Sequence, residues 1–171
     1  MKKSIEEPIC RDKLLDKTCK FDDKAIKNNI RKILESESFA VLSTQGQGQP
    51  YASIIGFSST PDLKNIVFAT SKETRKFSLI TESRKVALLV DNRSSVPPVI
   101  NKISAVTITG MSHVLEDPTD QENWADLLVK KHPYLKEFVQ APPTAIILVD
   151  VYRYFYVRRF QEVFEWNPHQ R

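Results

Sequence analysis

The stretch from Pro50 to Lys76 constrains this chain more than any other: PYASIIGFSS, the polar turn TPDLKN, then IVFAT and SKETRK. Tyr51 to Phe57 and Ile66 to Ala69 are apolar, β-branched or aromatic. The turn-forming residues Thr60, Pro61, Asp62 and Asn65 separate them, which predicts a β-hairpin. Directly after it, Ser71 and Thr74 supply hydroxyls, and Lys72, Arg75 and Lys76 supply positive charge. A helix starting near Thr74 would aim its free N–H groups and the positive end of its dipole at one spot, which suits an anion such as a phosphate. The alternative is an ordinary charged helix start that keeps Arg75 and Lys76 in water.

The rest of the chain supplies strands and helices around that hairpin. Asp22 or Asp23 caps a helix whose Ile26, Ile30, Ile33 and Leu34 share one face and which ends before Phe39. FAVLST, Phe39 to Thr44, is a first strand, and the two glycines of QGQGQ permit a tight reversal. A short helix from about Glu73 to Glu82 turns Phe77 and Ile80 inward. Lys85 to Asp91, KVALLVD, is a nearly all-apolar strand expected to be buried on both faces. After the loop NRSSVPP, Lys102 to Leu115 alternates weakly as a long strand. Asp117 and Pro118 open a helix through Lys131 with Trp124, Leu127 and Leu128 on its inner side. Pro133 breaks it, and one more helical turn reaches Gln140. Thr144 to Tyr156 and about Arg159 to Trp166 are the last strands. About seven strands, three helices and no βαβ alternation favour a mainly β fold, an antiparallel barrel with flanking helices. Residues 1–20 are read as a polar N-terminal arm and 21–171 as one domain.

Composition narrows the function classes. The 171 residues suffice for one domain, and a 41% hydrophobic fraction can build its core. The net charge is +4, with 25 Lys and Arg against 21 Asp and Glu spread along the chain. No helix-turn-helix, zinc-finger or stacking-aromatic signature accompanies it, so no nucleic-acid partner is expected. No apolar run approaches the roughly 20 residues that span a bilayer, and the residues after Met1-Lys2-Lys3 are polar rather than signal-like. The expectation is a cytoplasmic protein with no membrane partner, in which Cys10 and Cys19 are free thiols. There is no glycine-rich phosphate loop, no G-x-S-x-G and no H-E-x-x-H, and no metal site is expected. His113, His132 and His169 lie far apart in sequence. His113 is read as a solvent-facing or hydrogen-bonded residue, and His132 as a cation at a helix C-terminus. Without a nucleophile–base pair or a carboxylate pair, no catalytic side chain is assigned, and a cofactor would carry any reaction.

GQPYASIIGFSS, IVFATSKETRK and KVALLVDN together resemble the FMN-binding split-barrel family related to pyridoxamine 5′-phosphate oxidase. The core of the likeness runs from about Phe39 to Gly110, with a looser echo to Trp166. In that family a strand, a hairpin and a Ser-Arg-Lys helix start hold FMN; Thr74-Arg75-Lys76 matches that triplet, spaced from Ala69-Thr70 as in the family. The resemblance implies that Arg75 and Lys76 grip the FMN phosphate beside the Thr74 hydroxyl, and that Thr70 and Ser71 add hydrogen bonds. It also sets Ser53, Ile54 and Ile55 along the isoalloxazine edge through backbone groups, and lets Asn92 reach a flavin across a homodimer interface. Trp166 either covers the flavin or closes the core. The departures are equally informative. Ser53 and Ser58 stand where the true oxidases carry an arginine and a lysine, and YVRRFQEVFEW lacks the histidine of their Arg-x-His. The resemblance therefore implies an FMN oxidoreductase acting on a small molecule, with NAD(P)H as a candidate reductant, and not the true oxidase. The alternative is a non-catalytic module for flavin or haem on the same barrel, with His113 or His169 as haem ligands.

Overall fold

The computed structural model describes residues 23–159 and 162–170. The expected N-terminal arm and both cysteines lie outside the described residues. Among those described, the chain runs α1 (Asp23–Ser36), β1 (Phe39–Gly46), β2 (Gln49–Ser59), β3 (Asn65–Ser71), α2 (Arg75–Glu82), β4 (Lys85–Asp91), β5 (Ala105–Val114), α3 (Pro118–Lys131), α4 (Lys136–Gln140), β6 (Thr144–Arg158) and β7 (Glu162–Trp166). The strands form one antiparallel sheet in the order β3-β2-β1-β4-β5-β6-β7, and β3 also pairs with β6. That pairing closes six strands into a barrel and leaves β7 as an extra strand on β6. The mainly β split barrel with flanking helices expected from the sequence is the observed architecture, with four α-helices instead of three because the turn after Pro133 closes as α4.

Local chemistry sets the element ends. The β1–β2 reversal is a two-residue turn in which Gln47 (φ 52°) and Gly48 (φ 79°) both take positive φ, the hairpin geometry that matches strand twist. Only Gly48 of the two glycines serves the turn. Gly46 lies in β1, where a Cβ would meet the Leu79 and Glu82 side chains of α2. At the β2–β3 turn, Leu63 is buried in the left-handed region (φ 64°). Its carbonyl accepts a 2.7 Å hydrogen bond from the hydroxyl of the fully buried Tyr154. Burial first, and then the nearby Asp62 charge, push the Tyr154 phenol far above its ordinary range.

The barrel interior is filled by Leu42, Phe57, Ile66, Phe68, Leu88, Ile108, Val149 and Tyr154, onto which α1 packs Ile26, Ile30, Ile33 and Leu34. A second cluster, Val67, Ile146 and Leu128 with Trp124 and Leu127, seats α3 on the outer face of β3 and β6. The expectation that β4 is buried on both faces is not met within one chain. Val86, Leu88 and Val90 are buried, but Leu89 is 37% exposed. Strand side chains alternate between faces, and no element among the described residues covers the outer face there.

The C-terminus of α1 is closed by a side chain from α3. Lys131 Nζ donates to the carbonyls of Leu34 (2.6 Å) and Glu37 (2.7 Å) and sits 3.9 Å over the Phe57 ring. It thereby satisfies carbonyls that a helix end leaves open. Burial lowers the Lys131 pKa from 10.5 to about 8, against the opposing pull of Glu37 and Glu35. In the unfolded chain this amine holds its proton to a higher pH than in the folded one, so stability rises as pH climbs from about 8 to 10.5. Urea unfolding of the wild type and of Lys131→Met at pH 7.5 and pH 10 checks this. The wild type should gain on the variant at the higher pH, and a constant difference would contradict it.

Candidate functional site

β2 has two neighbours and cannot satisfy both along its whole length. Gln49 to Gly56 pair with β1 from Gly46 back to Phe39. On the other edge only Phe57, Ser58 and Ser59 pair, with Phe68, Val67 and Ile66. β3 meanwhile continues to Ser71 along β6, where Ala69, Thr70 and Ser71 face Ile146, Ala145 and Thr144. The β2–β3 ladder therefore comes apart beyond Phe57 and Phe68. The split is bordered by Ser53, Ile54 and Ile55 on one side and by Ala69, Thr70 and Ser71 on the other, and it leads to the start of α2.

The start of α2 is held tightly. Thr74 is the N-cap: its Oγ1 accepts from Phe77 N–H at 3.4 Å and donates to the Ser71 carbonyl at 2.8 Å. The Thr70 hydroxyl lies 3.0 Å from the Thr74 hydroxyl, and Ser71 Oγ accepts from Glu73 N–H at 3.2 Å. Lys72 N–H donates to the Pro143 carbonyl at 2.7 Å, tying the same turn to the lead-in of β6. The helix thus begins at Arg75 instead of Glu73, because Ser71 and Thr74 use residues 72–74 as a capped turn. Arg75 and Lys76 occupy the first turn, where backbone N–H groups lack intrahelical acceptors. Arg75 is exposed and Lys76 half-buried, and the Arg75 guanidinium lies 5.2 Å from the centre of the Tyr51 ring.

Two buried side-chain polar atoms have no hydrogen-bond partner among the described residues: Ser53 Oγ and Thr144 Oγ1. Ser53 borders the split on β2, and Thr144 stands directly opposite Ser71 in register. A buried hydroxyl without a partner costs free energy that a bound polar group can recover. Ser53 lies at the opening itself, whereas Thr144 lies across β3 from it, on the β6 side.

Nine of the ten sequence-predicted site residues thus meet at the split and the α2 start. Within one chain Asn92 does not join them. It follows β4 beyond Leu89, which pairs with Val41 toward the Phe39 end of β1, while α2 packs on the Gly46 end. Its Oδ1 already accepts from Ser104 N–H at 2.8 Å. Trp166 packs against the core, 5.6 Å from Tyr154, and closes it. The histidines are engaged elsewhere. His132 is buried at the C-cap of α3, with Nε2 2.9 Å from the Phe57 carbonyl and Nδ1 3.1 Å from the Tyr134 hydroxyl; it is a structural pin. His113 contacts Asp150 at 2.6 Å and also Arg84. His169 Nε2 meets the Val151 carbonyl at 2.9 Å. Tyr51 was missed from the sequence, although strand alternation alone sets it on the same face as Ser53 and Ile55.

Replacing Thr74 tests the cap. Thr74→Ala should cost about 1 kcal/mol and Thr74→Ser much less, read by thermal unfolding; equal losses would show that the hydroxyl does not carry the turn.

Among the described residues, no helix is long and apolar enough to cross a membrane, and no group of three or more His, Cys, Asp or Glu is placed to hold a metal ion. No curated protein matches this chain. Solved structures with the same fold include a heme binding protein from Mycobacterium smegmatis (14% identity, TM-score 0.73, covering 83% of this chain and 57% of that one). Campylobacter jejuni ChuZ is similar at 14% identity and TM-score 0.73, over 84% of this chain and 60% of its own. This chain therefore spans less than two thirds of either of those two. A protein related to general stress protein 26, of the pyridoxinephosphate oxidase family, from Clostridium acetobutylicum matches at 19% identity and TM-score 0.66, over 85% of this chain and 96% of that one. The family model for pyridoxamine 5′-phosphate oxidase matches residues 26–158, which takes in the barrel, the split and the start of α2, and the chain belongs to that family.

Proposed function

We propose that the chain binds FMN at the split between β2 and β3 and acts as a flavin-dependent oxidoreductase on a small molecule, as a homodimer. The observation that carries this reading is the opening of the β2–β3 ladder directly beside a capped helix start bearing Arg75 and Lys76. Two cations and first-turn N–H groups, set in place by the Thr74 cap, match the charge and acceptor geometry of a phosphate dianion. The backbone edges of Ser53–Ile55 and Ala69–Ser71, released from pairing with each other, offer donors and acceptors to a planar ring. The unpartnered Ser53 hydroxyl, on the split itself, fits a polar ligand there. A bound flavin supplies hydride and one-electron chemistry; the chain's own part is to bind, orient and keep water out. Ser53 and Ser58, standing where the true oxidases carry cationic residues, leave the phosphate-bearing substrate of those enzymes without its grip. A different small molecule, with NAD(P)H as reductant, fits better.

Haem is the second reading, favoured by the heme binding protein from Mycobacterium smegmatis. Here His113, His132 and His169 each already have hydrogen-bond or ion-pair partners, which weighs toward flavin.

The homodimer rests on the outer face of β2, β1 and β4. Ile54 (72% exposed), Val41 and Leu89 lie in direct register across the three strands, with Phe39 (58% exposed) nearby. A contiguous apolar row of this kind suits burial against a second copy, and a two-fold pairing is the commonest way to achieve it. The amide Nδ2 of Asn92 would then serve the other copy's flavin.

The double variant Arg75→Ala, Lys76→Ala should weaken FMN binding by roughly a hundredfold or more, read by fluorescence titration; unchanged affinity would sink the site. Ile54→Asp should convert a dimer to a folded monomer by light scattering, and an unaltered mass would rule out this face.

A further inference from the structure

Resting on the phosphate reading above, we infer that Tyr51 is a positioning residue: its ring holds the Arg75 guanidinium ready for a phosphate and gives the site its preference for phosphorylated over unphosphorylated flavin. Arg75 has no carboxylate partner among the described residues, and its ring contact with Tyr51, 5.2 Å from guanidinium carbon to ring centre, is what restrains it. A long, exposed arginine otherwise samples many rotamers, and ordering it on binding opposes affinity. A cation over an aromatic face is attracted without spending the fork of N–H donors in the guanidinium plane, so the charge is held while those donors stay free for phosphate oxygens.

The placement of the ring is itself built in. Tyr51 lies opposite Thr44 on β1, whose Oγ1 donates to the Tyr51 carbonyl at 3.3 Å. The β1–β2 hairpin end is locked to α2 at two further points. Gly46 lets the helix side chains of Leu79 and Glu82 approach β1 closely, and Gln47 N–H donates to Glu82 Oε1 at 3.0 Å. The ring and the helix start that carries Arg75 are therefore parts of one braced unit, and the Tyr51–Arg75 contact spans it at the end nearest the site. A tyrosine that only packed the hairpin would have no reason to lie against the one exposed guanidinium of that helix start.

FMN and riboflavin share the ring and differ by the phosphate, so their affinities separate positioning of Arg75 from damage to the barrel. For the full-length chain, Tyr51→Leu should weaken FMN binding about three- to fivefold and leave riboflavin binding unchanged. Tyr51→Phe, which keeps the aromatic face, should bind FMN like the wild type. Wild-type FMN affinity in Tyr51→Leu, an equal loss for both flavins, or failure of Tyr51→Phe to restore affinity would each overturn the inference. Arg75→Ala is measured alongside. If it loses FMN affinity while Tyr51→Leu does not, the positioning role alone fails. If Arg75→Ala itself binds FMN normally, the phosphate site fails and the inference with it.

Discussion

Closure of the barrel through β3 and β6 is the constraint on which the rest depends. β3 pairs with β6 from Asn65 to Ser71, and that long ladder draws the end of β3 away from β2. Backbone groups of Ser53–Ile55 and Ala69–Ser71 are left without each other. An exposed strand edge in a sheet is ordinarily a hazard that proteins cover; here the opening leads to the start of α2, where hydroxyls and cations are gathered. The same register sets Thr144 beside Ser71 and leaves its hydroxyl unpartnered. Fold closure and site formation are one event in this chain.

Among the described residues, the cations of the site are held by the geometry of the turn and helix start. Thr74 caps α2, Pro143 ties Lys72 from the β6 side, and Glu82 with Gly46 fixes the other end of the helix to the first hairpin. Arg75 lies against the aromatic face of Tyr51. Contrast Lys131, equally cationic, whose ammonium is buried on the Leu34 and Glu37 carbonyls and whose work is to finish α1. Two basic residues of similar appearance in the sequence part ways because one sits exposed at a helix start and the other reaches a helix end.

Most of the fold was legible because its signals are local. Alternating apolar residues mark the strands, Thr74 and Asp117 mark helix starts, and TPDLKN marks a turn. The candidate site was legible as far as the order hairpin–turn–helix carries it, which is why Ser53–Ile55 and Ala69–Lys76 assemble in space. What escaped was whatever depends on register or on a second layer. KVALLVD reads as buried on both faces, yet whether Leu89 is covered depends on a neighbour that the described residues do not supply. The Oδ1 of Asn92 accepts from Ser104 N–H, twelve residues on, a contact that no local pattern announces. His132 is at the end of α3 as its place before Pro133 suggests, but its burial against the Phe57 carbonyl depends on α3 ending against β2.

The central claim, that the split and the α2 start form a flavin site, is tested most directly by the visible spectrum of the purified protein, taken before and after adding FMN and removing the excess by desalting. The account predicts a retained flavin spectrum, shifted from that of free FMN by the surroundings of the ring. A colourless protein that releases all added FMN would contradict it, and a Soret band in the purified protein would transfer the site to haem.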